Sequence, residues 1–167
     1  EVVFNTGMTG YQEILTDPSY RGQLVAMTYP LVGNYGTNLE DIESERVQVA
    51  AFVIREYQDC YSNYRATGSL AEYLRHYGVM GVDDLDTRAL TRHIRQAGAM
   101  RAFLSTRELD PEFLSRRAGQ IPPMVGRDLV QHVTTKKPFF WKNNRPQPCL
   151  PDRLDESLWE PDSDAFR

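Results

Sequence analysis

The sequence predicts one domain mixing strands and helices, followed by a proline-rich linker, and three observations predict it. Short apolar runs of strand character open the chain and recur at residues 24–29 and 47–54. Ser69, Asp86 and Asp110 each stand just before a stretch of helical periodicity, where capping residues belong. After Thr135 the composition changes: Pro138, Pro146, Pro148, Pro151 and Pro161 accumulate, with few apolar pairs to bury. That change predicts a folded unit over residues 1–137 and a linker or edge-hugging tail over 138–167.

Taken in order, residues 2–4 read as a first strand. Residues 24–29 read as a second, ended by Pro30, which cannot donate to a ladder. Residues 47–54 are apolar on both sides of the pleat and read as a buried strand or the start of a helix. Ser69 with Glu72 three residues later forms a capping box for a short helix that stops at Gly78. A brief strand at 79–82 follows. Asp86 caps a second helix whose Leu90, Ile94 and Ala97 share one face, with Gly98 as its stop. Residues 100–104 read as a returning strand. Asp110-Pro111 opens a third helix, ending by Gly119, and a small amphipathic turn spans 129–133. Trp141 and Trp159 in the tail suggest that it docks on something.

The totals exclude several classes. With 167 residues, 41% apolar, the chain holds enough to bury one core. A net charge of −4 argues against a nucleic-acid binder, which needs clustered surplus Lys and Arg. No window approaches the roughly 18–20 apolar residues of a membrane helix, and the opening EVVF has no basic-then-apolar signal layout. It enters a strand without an initiator Met, so the natural start is expected upstream. Cys60 and Cys149 lie far apart without metal or disulfide spacing, and free thiols fit a reducing cytosol.

Candidate chemistry concentrates near the start. In TDPSY, Asp17-Pro18 favours a tight turn, with the Asp side chain bonding to the backbone two residues on. Ser19 then sits at the outer corner with its hydroxyl available, although such a turn can be purely structural. Gly7 and Gly10 in NTGMTGY, and Gly33 and Gly36 in VGNYGTN, read as turn glycines, since no phosphate-cradle spacing accompanies them. His76, His93 and His132 lack further ligands at metal spacing, which predicts no metal site. The acidic group Glu40, Asp41, Glu43 and Glu45 reads as a solvated face, and so do Arg88, Arg92 and Arg95, with some capacity for subunit docking. Neither Cys has an activating base nearby, and no Gly-x-Cys-x-Gly elbow occurs in the 167 residues, so no catalytic residue is assigned.

The string FNTGMTGYQEILTDPSY, extended by the VIR of residues 53–55, DTRALTRHIRQAGAMR and GRDLVQHVTT, closely resembles the N-terminal domain of the small, glutamine-using subunit of carbamoyl phosphate synthetase. The resemblance runs from Glu1 to about Trp141. It implies an α+β, swivelling β/β/α-type domain, cut short by a β-hairpin at its start, which would bare an aggregation-prone edge. It also implies a downstream class I amidotransferase domain whose Cys-His-Glu triad is not in these residues, so that residues 1–167 alone should hydrolyse no glutamine. Ser19 matches the family's serine at the L-glutamine site. The implied partner is the large synthetase subunit, which uses ATP and Mg to make carbamoyl phosphate for arginine and pyrimidine synthesis in the cytoplasm; this chain itself is expected to hold no cofactor. The alternative is a free-standing protein-interaction domain, with the acidic group and the Trp-bearing tail as its contacts.

Overall fold

The computed structural model describes residues 1–142 and 145–148. They fall into two compact units, Glu1–Leu129 and, from Val130 on, a second one. The first unit is built on a sheet of four parallel strands in the order β1 (Val2–Asn5), β2 (Leu24–Met27), β4 (Ala51–Val53) and β6 (Met80–Val82). Between them come helix α1 (Tyr11–Thr16), a 3-10 turn at Pro18–Tyr20, the short strands β3 (Leu31–Val32) and β5 (Glu56–Tyr57), and helix α2 (Leu70–His76). β3 and β5 pair with each other, also in parallel, as a separate two-stranded ribbon. Helices α3 (Thr87–Ala97) and α4 (Pro111–Gln120) complete the unit.

Parallel strands need crossovers and are covered on both faces, which is why the strands of this chain carry apolar residues in near-continuous runs. The period of two sends Val25, Met27, Phe52 and Ile54 to one face, where they form a single cluster with Tyr11 and Leu15 of α1 and Leu70 and Leu74 of α2. α3 packs against β1 and β2 and buries Ile94 and Thr87. Of the face expected for this helix, Ile94 is buried, Leu90 is half-buried and Ala97 is exposed.

The helix starts behave as their sequences dictate. The Ser69 hydroxyl accepts from the Glu72 N–H at 3.2 Å while a Glu72 carboxylate oxygen accepts from the Ser69 N–H at 3.0 Å, the reciprocal capping box. Asp86 accepts from the Ala89 N–H at 2.9 Å, and Asp110 accepts from the N–H groups of Glu112 and Phe113. α1 is different. Gly10 precedes it at φ 85° with no side chain to cap the helix, and the Tyr35 hydroxyl takes that part, accepting from the Gly10 N–H at 2.6 Å and the Tyr11 N–H at 3.0 Å.

Two expected strands are corrected. Within residues 47–54 only Ala51–Val53 joins the sheet. Val47 and Val49 are buried, but the backbone around them bonds elsewhere: Gln48 N–H to the Leu15 carbonyl and Ala50 N–H to the Gln23 carbonyl. Residues 100–104 form no strand; a lone antiparallel bridge joins Met100 to Val2. Arg101, next in line, is exposed and sends its guanidinium to the carbonyls of Gly119 and Ile121 instead.

In the second unit α5 (Val130–Val133) is followed by an antiparallel hairpin of β7 (Phe139–Lys142) and β8 (Arg145–Pro148). The tail thus carries regular structure, where its proline content suggested none. Proline is tolerated because each strand of a two-stranded hairpin is an edge. Cys149 and Trp159 lie outside the described residues.

Leu15 and Phe52 are fully enclosed. Leu15→Ala is expected to lower stability by about 2–5 kcal/mol in urea unfolding, the range for emptying a core site. Tyr35→Phe keeps the ring but strands two helix-start N–H groups, and should cost about 1–3 kcal/mol by the same measurement. Burial raises the Tyr11 and Tyr35 hydroxyls above the ordinary 10.0 and pushes Tyr73 up to about 12. These phenols stay protonated in the folded chain at pH values where the unfolded chain loses them. Their contribution is therefore whole below pH 10 and falls as pH rises from there toward 12. Stability measured against pH should drop over that window, and less steeply in Tyr73→Phe.

Candidate functional site

The TDPSY turn is built from the inside out. Thr16, the last residue of α1, is fully buried, and its hydroxyl donates to the Gln12 carbonyl at 3.0 Å while accepting from the Glu43 N–H at 2.9 Å. Asp17 leaves the helix with extended backbone angles, and Pro18 starts the 3-10 turn with its fixed φ. An Asp17 carboxylate oxygen accepts from the Ser19 N–H at 2.7 Å, the side-chain-to-backbone bond expected two residues on. The Asp17 and Pro18 carbonyls then accept from the Tyr20 and Arg21 N–H groups, each at 3.1 Å.

Tyr20 anchors the turn to the sheet. Its hydroxyl accepts from the Asn5 side-chain amide, at the end of β1, at 2.9 Å. Behind it, the Gly22 N–H donates to the Gln48 carbonyl at 3.0 Å. The turn around Ser19 is thus pinned on both sides. The Ser19 side chain is exposed, and its hydroxyl makes no hydrogen bond among the described residues. A hydroxyl held at a fixed place with both its donor and its acceptor capacity unused is suited to a polar ligand or a partner group brought to it.

The remaining candidates divide. Gly33 and Gly36 are structural, as read from the sequence: both have positive φ, and a Cβ at Gly33 would stand 2.7 Å from the Gln58 carbonyl oxygen. The acidic group is not wholly solvated. Arg65 pairs with Glu40 at 2.9 Å and Asp41 at 2.7 Å, and Asn38 donates to Asp41, which holds the Asp41 carboxyl below its usual range. Cys60 is exposed in a loop. Among the described residues no group of His, Cys, Asp or Glu is arranged to hold a metal ion, and no helix is long and apolar enough to cross a membrane.

Ser19 lines neither of two cavities described in the first unit. One, of about 340 Å³, is walled by core side chains including Phe52, Ile54, Leu70 and Leu74. The other, of about 670 Å³, gathers Arg88, Arg92 and Arg95, which by sequence read as a solvated face with some capacity for subunit docking, and Arg55 of the VIR segment. The missed signal is positional. Arg55 follows the end of a parallel strand, where the loops of such sheets collect their ligands.

Comparison with known proteins places these features in a family. Residues 1–104 match the family described as carbamoyl-phosphate synthase small chain, CPSase domain. The chain is 57% identical over 148 residues to the carbamoyl phosphate synthase small chain of Maridesulfovibrio salexigens, covering 89% of this chain and 40% of the relative. It is 56% identical over 147 residues to that of Nitratidesulfovibrio vulgaris strain Hildenborough (88% and 39%), and 57% identical over 143 residues to that of Rhodopirellula baltica (86% and 37%). The chain spans about two fifths of the length of these curated relatives. The family match takes in the whole sheet, α1 to α3 and the Ser19 turn, and the chain belongs to the carbamoyl phosphate synthase small-chain family.

Proposed function

We propose that this chain is the N-terminal accessory domain of a glutamine-hydrolysing carbamoyl phosphate synthase, and that Ser19 holds L-glutamine from across a domain boundary. The observation that carries the reading is the Ser19 hydroxyl itself, exposed and unpaired on a turn pinned by Asp17, Tyr20 and Thr16. In this reading the nucleophile belongs to a class I amidotransferase domain. Its cysteine thiolate attacks the side-chain amide carbon of glutamine, the C–N bond breaks with a proton delivered to the leaving nitrogen, and ammonia departs. Water then cleaves the thioester to glutamate.

Ser19 takes no part in bond making. Its hydroxyl donates to, or accepts from, a polar group of the bound amino acid and fixes its orientation before attack. The rest of the domain docks on the large subunit, which consumes the ammonia with bicarbonate and ATP, using Mg, to form carbamoyl phosphate for arginine and pyrimidine synthesis in the cytoplasm. The parallel central sheet with helices on its faces supports a swivelling β/β/α-type architecture for this domain.

Ser19→Ala in the complete enzyme tests the assignment. Losing one ligand hydrogen bond should raise the KM for glutamine about tenfold. Synthesis driven by added ammonia should stay near the parent rate. Stability in urea should move by no more than about 0.5 kcal/mol, since an exposed hydroxyl without a partner is removed. Equal loss of the glutamine- and ammonia-driven rates would refute the role.

A further inference from the structure

The larger cavity has the makings of a site that the glutamine chemistry does not use. It opens where the parallel strands end. Asn5 and Met27 are partners in the β1–β2 register, so Thr6 and Thr28 stand side by side one residue beyond those strands. Arg55 enters from the loop after β4, and α3 supplies the remaining wall. Loops at the carboxyl ends of parallel strands are where such sheets hold ligands.

The electrostatics are one-sided. Arg88, Arg92 and Arg95 are spaced by four and three residues, which sets them on one face of α3, and all three line the cavity. None of them makes an ion pair among the described residues. The one carboxylate in the lining, Asp86, is already engaged: it caps α3 through the Ala89 N–H at 2.9 Å and stands 3.8 Å from the Arg55 guanidinium. The lining thus sets four guanidiniums against one carboxylate. Thr91, on the same helix face, has a hydroxyl oxygen shielded from solvent and without any hydrogen-bond partner, and it too lines the cavity.

We propose that this cavity binds a small polyvalent oxyanion, of phosphate or carboxylate type, clamped between Arg55 and the Arg88, Arg92 and Arg95 face of α3. Planar guanidinium forks match such oxygens two at a time, and the hydroxyls of Thr6 and Thr28 donate to those that remain. A small ligand is favoured over a flat acidic surface because the groups converge on a concavity of about 670 Å³, a volume typical of small-molecule sites. The site shares no residue with the Ser19 turn and stands or falls independently of it.

Calorimetric titration of the complete small chain with pyrophosphate and with citrate, at constant ionic strength, tests the proposal. Saturable binding of at least one is expected, and which one binds separates phosphate from carboxylate chemistry. Arg88→Gln and Arg92→Gln should each weaken it about tenfold or more, while Arg116→Gln, on α4, should leave it unchanged. In the unsubstituted chain the bound anion should slow amide hydrogen exchange selectively over residues 87–92, a readout that needs no variant to fold. The proposal is overturned if neither anion binds at millimolar concentration, if the variants bind as the parent does, if the protection falls elsewhere, or if only a polyglutamate peptide binds.

Discussion

Helix α1 has six residues, too few to hold together alone, and nearly everything else in the first unit depends on how it is fixed. The loop at residues 33–38 fixes it. Tyr35 stacks on Tyr11 with ring centroids 4.2 Å apart and caps the helix with its hydroxyl. The Tyr11 hydroxyl donates back to the Gly36 carbonyl. One residue on, the buried Gln12 amide bonds the Asn38 backbone in both senses, accepting its N–H at 2.9 Å and donating to its carbonyl. Two segments more than twenty residues apart are joined as tightly as paired strands. Pairing between such groups is what makes a polar network tolerable inside a core.

That clamp reaches the exposed turn. The end of α1 is held by Thr16, which receives the Glu43 N–H and offers its own carbonyl to Ser44, so the segment after the clamp returns to brace the far end of the helix. Asp17, Pro18 and Ser19 therefore leave from a fixed point, and Tyr20 reattaches the chain to β1. A serine on a surface loop ordinarily keeps much of its freedom; this one is carried on a turn bonded through Thr16, Asp17 and Tyr20. The role proposed for Ser19 needs precise placement, and the bonds that supply it come from Thr16, Asp17 and Tyr20.

Much of this was legible in the sequence, because the signals were local. The capping box at Ser69, the caps at Asp86 and Asp110, the Asp17 turn and the glycine stops all bond within a few residues, and residue identity dictates them. What stayed hidden was set at long range. Nothing local in residues 47–54 shows that Val47 and Val49 would be buried outside the ladder, their backbone engaged by the α1–β2 segment. Residues 100–104 have strand composition, yet they make a lone bridge to β1 and then turn away. Four strands of three or four residues do not reveal their order, or that all run in parallel. Tyr35 as the cap of a helix that starts 24 residues earlier left no trace in local pattern.

The arginines of α3 show the same limit in electrostatic form. By spacing alone they are a polar helix face, and the sequence has more Asp and Glu (23) than Lys and Arg (19), enough to neutralise them. The fold distributes those acids elsewhere: Glu40 and Asp41 go to Arg65, Glu72 to its own helix start, Asp17 and Asp110 to theirs. Like charges four apart on a helix disfavour it by about 0.2–0.5 kcal/mol per pair, and Arg55 approaches the same space from the sheet. Four guanidiniums line one cavity against the single carboxylate of Asp86, the pattern of a site arranged for a charge that arrives from outside.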